Sequence, residues 1–247
     1  MKSYKGFTLI EMLVTTLLLS LIVLIGSSAS GLFSSSWEGR VGKFEESLIN
    51  IRNVMLVQEV LDSLMPYVTL DIDNNPNLYF EGNRNGFVAV SRKSVYLPGK
   101  PAVVRFSVVQ TQNLDYDVVY EEWPMSEDVL RYSQQDIPFT APIVLFQSVG
   151  QPLFEYFGWP SLESKNGVEG VKPPGSAEWL PSYNALTISL MPLQTRLSFK
   201  KDEGNVDVYG NVAAMKPGIL SRYAGSKRKQ RDALGTQINS LSDDCNC

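Results

Sequence analysis

The feature that most constrains this chain is a long apolar run close to its N-terminus. The 19 residues from Phe7 to Ile25 include one charged residue, Glu11. As a helix, such a run spans about 28 Å, close to the thickness of the hydrocarbon core of a bilayer. Lys2 and Lys5 precede the run, and no acid accompanies them, so this end is expected in the cytoplasm. The run therefore predicts a single membrane-spanning helix with the rest of the chain on the outer side.

A cleaved secretory signal peptide is the alternative interpretation of the same segment. The small residues from Gly26 to Gly31 are of the kind that a signal peptidase accepts. The apolar run is longer than the usual 7–15 residues of a signal peptide, however. A carboxylate such as Glu11 would also cost roughly 2.5–3.5 kcal/mol at the centre of a membrane helix. Both departures favour a helix that is retained.

The residues around the start of the run form a specific motif. The segment from Lys5 to Val14 reads KGFTLIEMLV and resembles the N-terminus of type IV prepilins and type II secretion pseudopilins. The resemblance implies that prepilin peptidase cleaves after Gly6, which makes residues 1–6 a leader, and that the new N-terminus, Phe7, is methylated. It also implies that Glu11, the fifth mature residue, acts in assembly. The run departs from many family members in having no proline.

The same resemblance implies where the protein resides and what it contacts. It implies a single-pass protein of the inner, cytoplasmic membrane, with a cytoplasmic N-terminus and a periplasmic head. The implied partners are other pilin or pseudopilin subunits, contacted through the N-terminal helix, the prepilin peptidase that is also the N-methyltransferase, and an inner-membrane assembly platform. The expected function is that of a structural subunit of a type II secretion pseudopilus or a type IV pilus, and not of an enzyme.

A second helical pattern follows the membrane segment. Apolar residues recur at steps of three and four, and charged residues lie between them. These apolar positions are Trp37, Val41, Phe44, Leu48, Ile51 and Met55, followed after a phase shift by Val57, Leu61 and Leu64. The pattern predicts an amphipathic stalk helix over residues 26–65, ended by Pro66. We expect its second half to pack on the head through Met55, Leu61 and Leu64.

From Asp71 onward the pattern changes to short runs rich in Val, Ile, Tyr and Phe, with turn residues between them. The predicted strands are Gly86–Ser91, Ala102–Thr111, Tyr116–Trp123, Ile143–Val149, Leu153–Phe157 and Ala185–Met191. They predict an antiparallel β head over residues 66–200. The expected fold class is therefore α+β and pilin-like, with the C-terminal half of a long N-terminal helix packed on the sheet.

The order of strands and of aromatic and proline residues in the head resembles minor pseudopilins of the J type from type II secretion systems. That resemblance implies a minor subunit near the tip of the filament. After about Lys200 the periodicity fades, and residues 201–247 are expected to form a poorly ordered tail. The tail includes a basic run, Ser221–Arg231, for which a solvated segment is favoured over contact with anionic lipid or an acidic partner.

The amino-acid composition excludes several kinds of catalytic site and partner. The chain has no histidine, so catalysis by Ser-His-Asp or Cys-His groups is excluded. Its two cysteines, Cys245 and Cys247, stand at the C-terminus and provide no disulfide framework. The formal net charge is −4, and no nucleic-acid partner is expected.

Two acidic groups remain to be considered as sites. Asp71 and Asp73, with two asparagines after them, are weak candidates for a Ca²⁺ site, although the glycine and the closing acid of a calcium loop are missing and a turn is favoured. Glu121 and Glu122 are neighbours in a strand and must point to opposite faces, so they cannot form an acid–base pair. We therefore expect no catalytic residues and no cofactor.

Two other functions stay open from the residues alone. One is a pilin-like adhesin or DNA-uptake subunit, which would bind its ligand through the head or the tail. The other, less favoured, is a membrane-anchored hydrolase. Ligand binding by the head would support the first, and catalytic activity the second.

Overall fold

The computed structural model describes residues 8–167, 173–201, 204–215, 218 and 220. The chain divides into two compact units, Met1–Arg52 and Asn53–Cys247. One long helix, α1 (Leu9–Asp62), runs through the first unit and into the second. It ends three residues before the predicted boundary at residue 65.

The second unit consists mainly of strands. They are β1 (Val68–Leu70), β2 (Pro76–Leu78), β3 (Phe80–Asn83), β4 (Gly86–Ser91), β5 (Ala102–Gln110), β6 (Tyr116–Pro124), β7 (Ile143–Gly158), β8 (Glu178–Leu180), β9 (Tyr183–Asn184), β10 (Gln194–Lys201) and β11 (Gly204–Asn211). Two short helices lie between strands, α2 (Leu162–Asn166) and α3 (Ala185–Ile188). The α+β class with an antiparallel head is thus confirmed.

In the described part of the chain, nine strands form one antiparallel sheet. Its order is β11-β10-β7-β6-β5-β4-β3-β9, with β8 paired to β7 outside this path. The remaining strands, β1 and β2, form a separate antiparallel pair. Most sheet neighbours are also neighbours along the chain, as is usual where short turns connect antiparallel strands.

The last turns of α1 contribute to the main core of the second unit. Val57 and Leu61 are fully buried, and so is Leu64 just after the helix, as the sequence pattern predicted for the two leucines. Met55 is 64% exposed, so its predicted packing on the sheet is wrong. Each residue turns a helix by 100°, which places Met55 about 200° from Val57, on the opposite side.

Strand β7 replaces two predicted strands and the turn between them. Its first half pairs with β6 and its second half with β10. Ser148 and Gln151 have positive φ values of 49° and 41°, and the pairing with β10 shifts register between Ser198 and Lys200. Gly150 and its neighbours therefore bend a continuous strand, because irregularities of this kind let one strand change direction without leaving the sheet.

The predicted strand Ala185–Met191 is wrong. Its first residues form helix α3 instead. The Asn184 side chain accepts hydrogen bonds from the backbone N–H groups of Leu186 and Thr187, at 2.9 and 3.3 Å. This N-terminal cap satisfies backbone donors that a strand would have paired with a neighbour.

The expectation of little order after residue 200 is wrong for β11. This strand pairs with β10 along its whole length, from Lys201 opposite Gly204 to Gln194 opposite Asn211. It also lies directly against the end of α1. A Cβ atom at Gly210 would stand 2.1 Å from the Cβ of Leu61, so only glycine fits this approach.

Candidate functional site

The first unit contains a helical segment able to cross a membrane by its length and composition. This segment, Leu9–Gly31, has 23 residues and a mean hydropathy of 2.5, and none of its residues is buried. Large apolar side chains are exposed along it, among them Leu9 at 82% and Ile22 at 67%. Apolar surface of this extent is not left in water by a folded protein, so lipid or other helices must cover it.

Four hydroxyl groups of this segment are satisfied within the helix. Thr15 donates to the carbonyl oxygen of Met12 at 2.9 Å, and Thr16 donates to that of Leu13 at 3.0 Å. Ser20 and Ser28 bond in the same way to carbonyls three or four residues earlier, at 2.8 and 2.9 Å. These side chains can therefore enter hydrocarbon without leaving a hydroxyl unpaired.

Glu11 is different. It lies in the first turn of α1, and its backbone N–H donates to the Thr8 carbonyl at 3.1 Å. Its side chain is exposed, and its carboxylate has no hydrogen-bond or ion-pair partner among the described residues. The helix N-terminus favours a negative charge here, but an isolated carboxylate in an apolar environment needs a cation to offset its desolvation.

Several predicted features lie outside the described residues. They are the processing site at Gly6 and Phe7, the basic run Ser221–Arg231, and the cysteines Cys245 and Cys247. Cleavage after Gly6 and methylation of Phe7 therefore stay predictions.

The candidate calcium residues lie in the tight turn between β1 and β2. The Asp71 carboxylate accepts hydrogen bonds from the Asn75 backbone N–H at 2.6 Å and from the Asn75 side-chain amide at 3.1 Å. Asn74 has φ 55°, a left-handed conformation that asparagine tolerates in turns. In the described part of the chain, no group of three or more His, Cys, Asp or Glu side chains could hold a metal ion. The geometry is that of a turn closed by Asp71, and calcium binding there stays a weak prediction.

The adjacent acids of β6 point to opposite faces, as predicted, and have different surroundings. Glu121 accepts two hydrogen bonds from Arg105, at 2.7 and 2.8 Å, and the hydrogen bond raises the pKa of the Arg105 guanidinium. The guanidinium also lies 4.0 Å from the ring centroid of Phe139. This side of the sheet is thus fixed by an ion pair and a cation–π contact.

Glu122 is fully buried, which no local pattern in the sequence indicates. Its carboxylate accepts hydrogen bonds from the backbone N–H groups of Val95 and Tyr96, both at 2.9 Å, and from the hydroxyls of Ser94 and Tyr120. Burial also raises the pKa of Tyr120, which keeps its hydroxyl protonated as a donor. Four donors converge on this one carboxylate, and they hold the segment after β4 against β6.

Comparison of the sequence with known protein families identifies a motif at the N-terminus. Residues 1–27 match the family model described as the prokaryotic N-terminal methylation motif. A search of curated proteins found no match for the chain. The motif, the exposed apolar helix and the antiparallel head together define the architecture of a pilin-like protein. The match supports the type IV pilin and pseudopilin family, whose members are structural proteins processed by prepilin peptidase, and it covers the first 27 residues of the 247.

Proposed function

We propose that this protein is a structural subunit that assembles through its N-terminal helix into a type II secretion pseudopilus or a type IV pilus. In this proposal it is a minor subunit of the J type, placed near the tip of the filament. Its N-terminus lies in the cytoplasm before processing, and its head lies in the periplasm. The observation that carries the proposal is the methylation motif on a helix whose apolar segment, Leu9–Gly31, has no buried residue.

The apolar surface supports the role of the helix in two environments. Before assembly the segment Leu9–Gly31 spans the membrane, where lipid covers its side chains. In a filament, the matching helices of neighbouring subunits replace the lipid. Because Thr15, Thr16, Ser20 and Ser28 are bonded within the helix, their hydroxyl groups stay satisfied on transfer from lipid to a helix bundle.

Glu11 supplies the polar contact that selects a partner. Cleavage after Gly6 would leave an ammonium group on Phe7, four residues from the carboxylate. When two parallel helices are offset along their axes, the Phe7 ammonium of one subunit can meet Glu11 of the next. Low dielectric strengthens such a pair, and the cost of desolvation limits its net contribution to affinity. The pair should therefore set the register between subunits.

The test is to replace Glu11 by leucine in the full-length chain and to measure crosslinking to neighbouring subunits in membranes. The Glu11→Leu chain should insert and should be cleaved as before, but its crosslinks should be lost or displaced to other positions. Thr15→Leu is a matched control, because it removes a polar group already satisfied within its own helix. Equal crosslinking yields at identical positions in wild type and Glu11→Leu would contradict the proposal.

A further inference from the structure

The head contains a groove beside β1. Its volume is about 500 Å³, and it is lined by residues 66–68 and 70, in and just before β1, and by residues 129–132. Most of this lining is apolar or aromatic, and Val129 and Tyr132 are 43% and 49% exposed. We call it the β1 groove. Its volume lies within the range that is typical of clefts that bind a ligand.

Among the described residues that line the β1 groove, one is charged. Arg131 is exposed, and its guanidinium forms no ion pair or hydrogen bond within the described part of the chain. The exposed acids Glu127 and Asp128 come shortly before it in sequence but do not line the groove. A guanidinium presents a planar fork of N–H donors that matches a carboxylate. An occupant of the groove should therefore carry a carboxylate next to apolar side chains.

The backbone of β1 has a second edge, which faces away from β2. The Tyr67 carbonyl accepts a hydrogen bond from the Tyr79 N–H at 2.9 Å, and the Asp71 N–H donates to the Asn75 carbonyl at 3.0 Å. The odd-numbered residues of this segment thus bond to the β2 side. In an antiparallel pair, bonded and non-bonded residues alternate. The even-numbered residues of β1 therefore direct their backbone N–H and C=O groups to the opposite edge.

This second edge is occupied at Leu70 and open at Val68. The Leu70 N–H donates to the Arg131 carbonyl, and the Leu70 carbonyl accepts from the Ser133 N–H, both at 2.9 Å. The backbone N–H and C=O of Val68 point to the same edge and have no hydrogen-bond partner among the described residues. Because Val68 also lines the β1 groove, the groove combines apolar walls with an unpaired strand edge. Such edges pair with extended peptide segments.

We propose that the β1 groove binds an extended segment of a different protein. This segment pairs with the backbone of Val68, places apolar side chains in the groove and directs an aspartate or a glutamate toward Arg131. Successive side chains of a strand point to opposite faces, so the apolar residues and the acid should occur at every second position of the segment. The inference goes beyond the proposed function and does not rest on it, since it concerns the head alone and needs no second copy of this protein.

The first experiment uses a displayed library of random heptapeptides, selected against the full-length protein in lipid nanodiscs and against empty nanodiscs. Peptides enriched by the protein should carry apolar residues at alternate positions together with one aspartate or glutamate. The Arg131→Glu chain should enrich lysine or arginine in place of the acid, because the charge in the groove is reversed. No enrichment over empty nanodiscs, which a groove filled by another part of this chain would also give, overturns the inference. So does a selection in which the acid is not replaced.

The second experiment measures the Kd of the best selected peptide, synthesised with blocked ends, by fluorescence anisotropy. Arg131→Gln should weaken binding about two- to fivefold, the range expected for the loss of one exposed ion pair. Arg84→Gln is the matched control, because Arg84 is also exposed but lies in the turn between β3 and β4, outside the groove. Equal Kd values for these two variants would contradict binding at the β1 groove.

The pairing with Val68 is tested by methylating one backbone nitrogen of the same peptide at a time. One peptide N–H should donate to the Val68 carbonyl, so methylation at that position should weaken binding about two- to tenfold. Methylation of the residues on either side should have little effect, because their N–H groups point away from β1. A scan with no sensitive position, or with equal effects at every position, would refute strand pairing.

The outcome is separable from that of the proposed function. Processing of the N-terminus and the Glu11-dependent crosslinks are measured in membranes without any peptide. If both are intact while the peptide library gives no binder, the docking inference fails and the proposed function stands.

Discussion

Replacing Gly210 by alanine tests the contact between β11 and the end of α1. The added Cβ would lie 2.1 Å from the Cβ of Leu61 and 2.6 Å from its backbone carbonyl carbon. Leu61 is fully buried, so neither the helix nor the strand can move without disturbing the core. Overpacking of this kind costs typically 1–3 kcal/mol and occasionally more. Because the clash involves backbone atoms, we expect about 3 kcal/mol.

The assay is thermal unfolding of the full-length protein in detergent, followed by tryptophan fluorescence. For a head of this size, about 3 kcal/mol lowers the Tm by roughly 6–12 °C. Gly204→Ala in the same strand is the matched control, because its Cβ would lie 3.8 Å from the nearest neighbour, the Lys201 carbonyl oxygen. A Tm for Gly210→Ala equal to that of Gly204→Ala would refute the docking of β11 on α1.

Three further predictions concern the head. Leu61→Ala should reduce the free energy of unfolding by about 2–5 kcal/mol, and Met55→Ala should leave it nearly unchanged, as measured by urea denaturation. Glu122→Gln should cost about 1–3 kcal/mol in the same assay, because an amide group turned toward the backbone donors leaves one of them unpaired. Burial raises the pKa of Tyr79 and Tyr183 to about 12, from about 10 in the unfolded chain. The free energy of unfolding should therefore be unaffected by these groups below pH ~10 and should fall between about pH 10 and 12, and an unchanged value over this range would contradict their burial.

Much of the sheet could be predicted from local pattern. The bounds of β4 agree with the prediction at both ends, and those of β5 and β6 agree to within one residue. Their side chains alternate or are rich in β-branched residues, which is a local signal. The burial of Leu61 and Leu64 followed from helical spacing in the same way.

The sequence-based predictions were wrong where contacts with residues distant in the sequence determine the local structure. The continuity of β7 depends on β6 and β10, which pair with its two halves and lie apart from it in sequence. Strand β11 was not predicted because two glycines and several polar residues hide its alternation. Its Gly210 closely contacts Leu61, which lies more than 140 positions earlier in the sequence. Glu122 could not be recognised as buried, because three of its four donors come from Ser94, Val95 and Tyr96, in the connection between β4 and β5.

The candidate assembly residue was accessible to sequence reasoning for a different reason. A single carboxylate in an apolar run is conspicuous without any structure, and the resemblance of the segment to prepilins implied an assembly role for Glu11, which stays a prediction.

The most direct test of the account is mass spectrometry of the mature N-terminus, purified from membranes of cells that contain a prepilin peptidase. A pilin-like subunit should begin at a methylated Phe7, and Gly6→Leu should leave the chain unprocessed, because we expect a bulky side chain before the cleaved bond to be excluded from the peptidase. A mature chain that begins near Ser30 would indicate signal peptidase and a released head. That result would contradict assembly through the N-terminal helix.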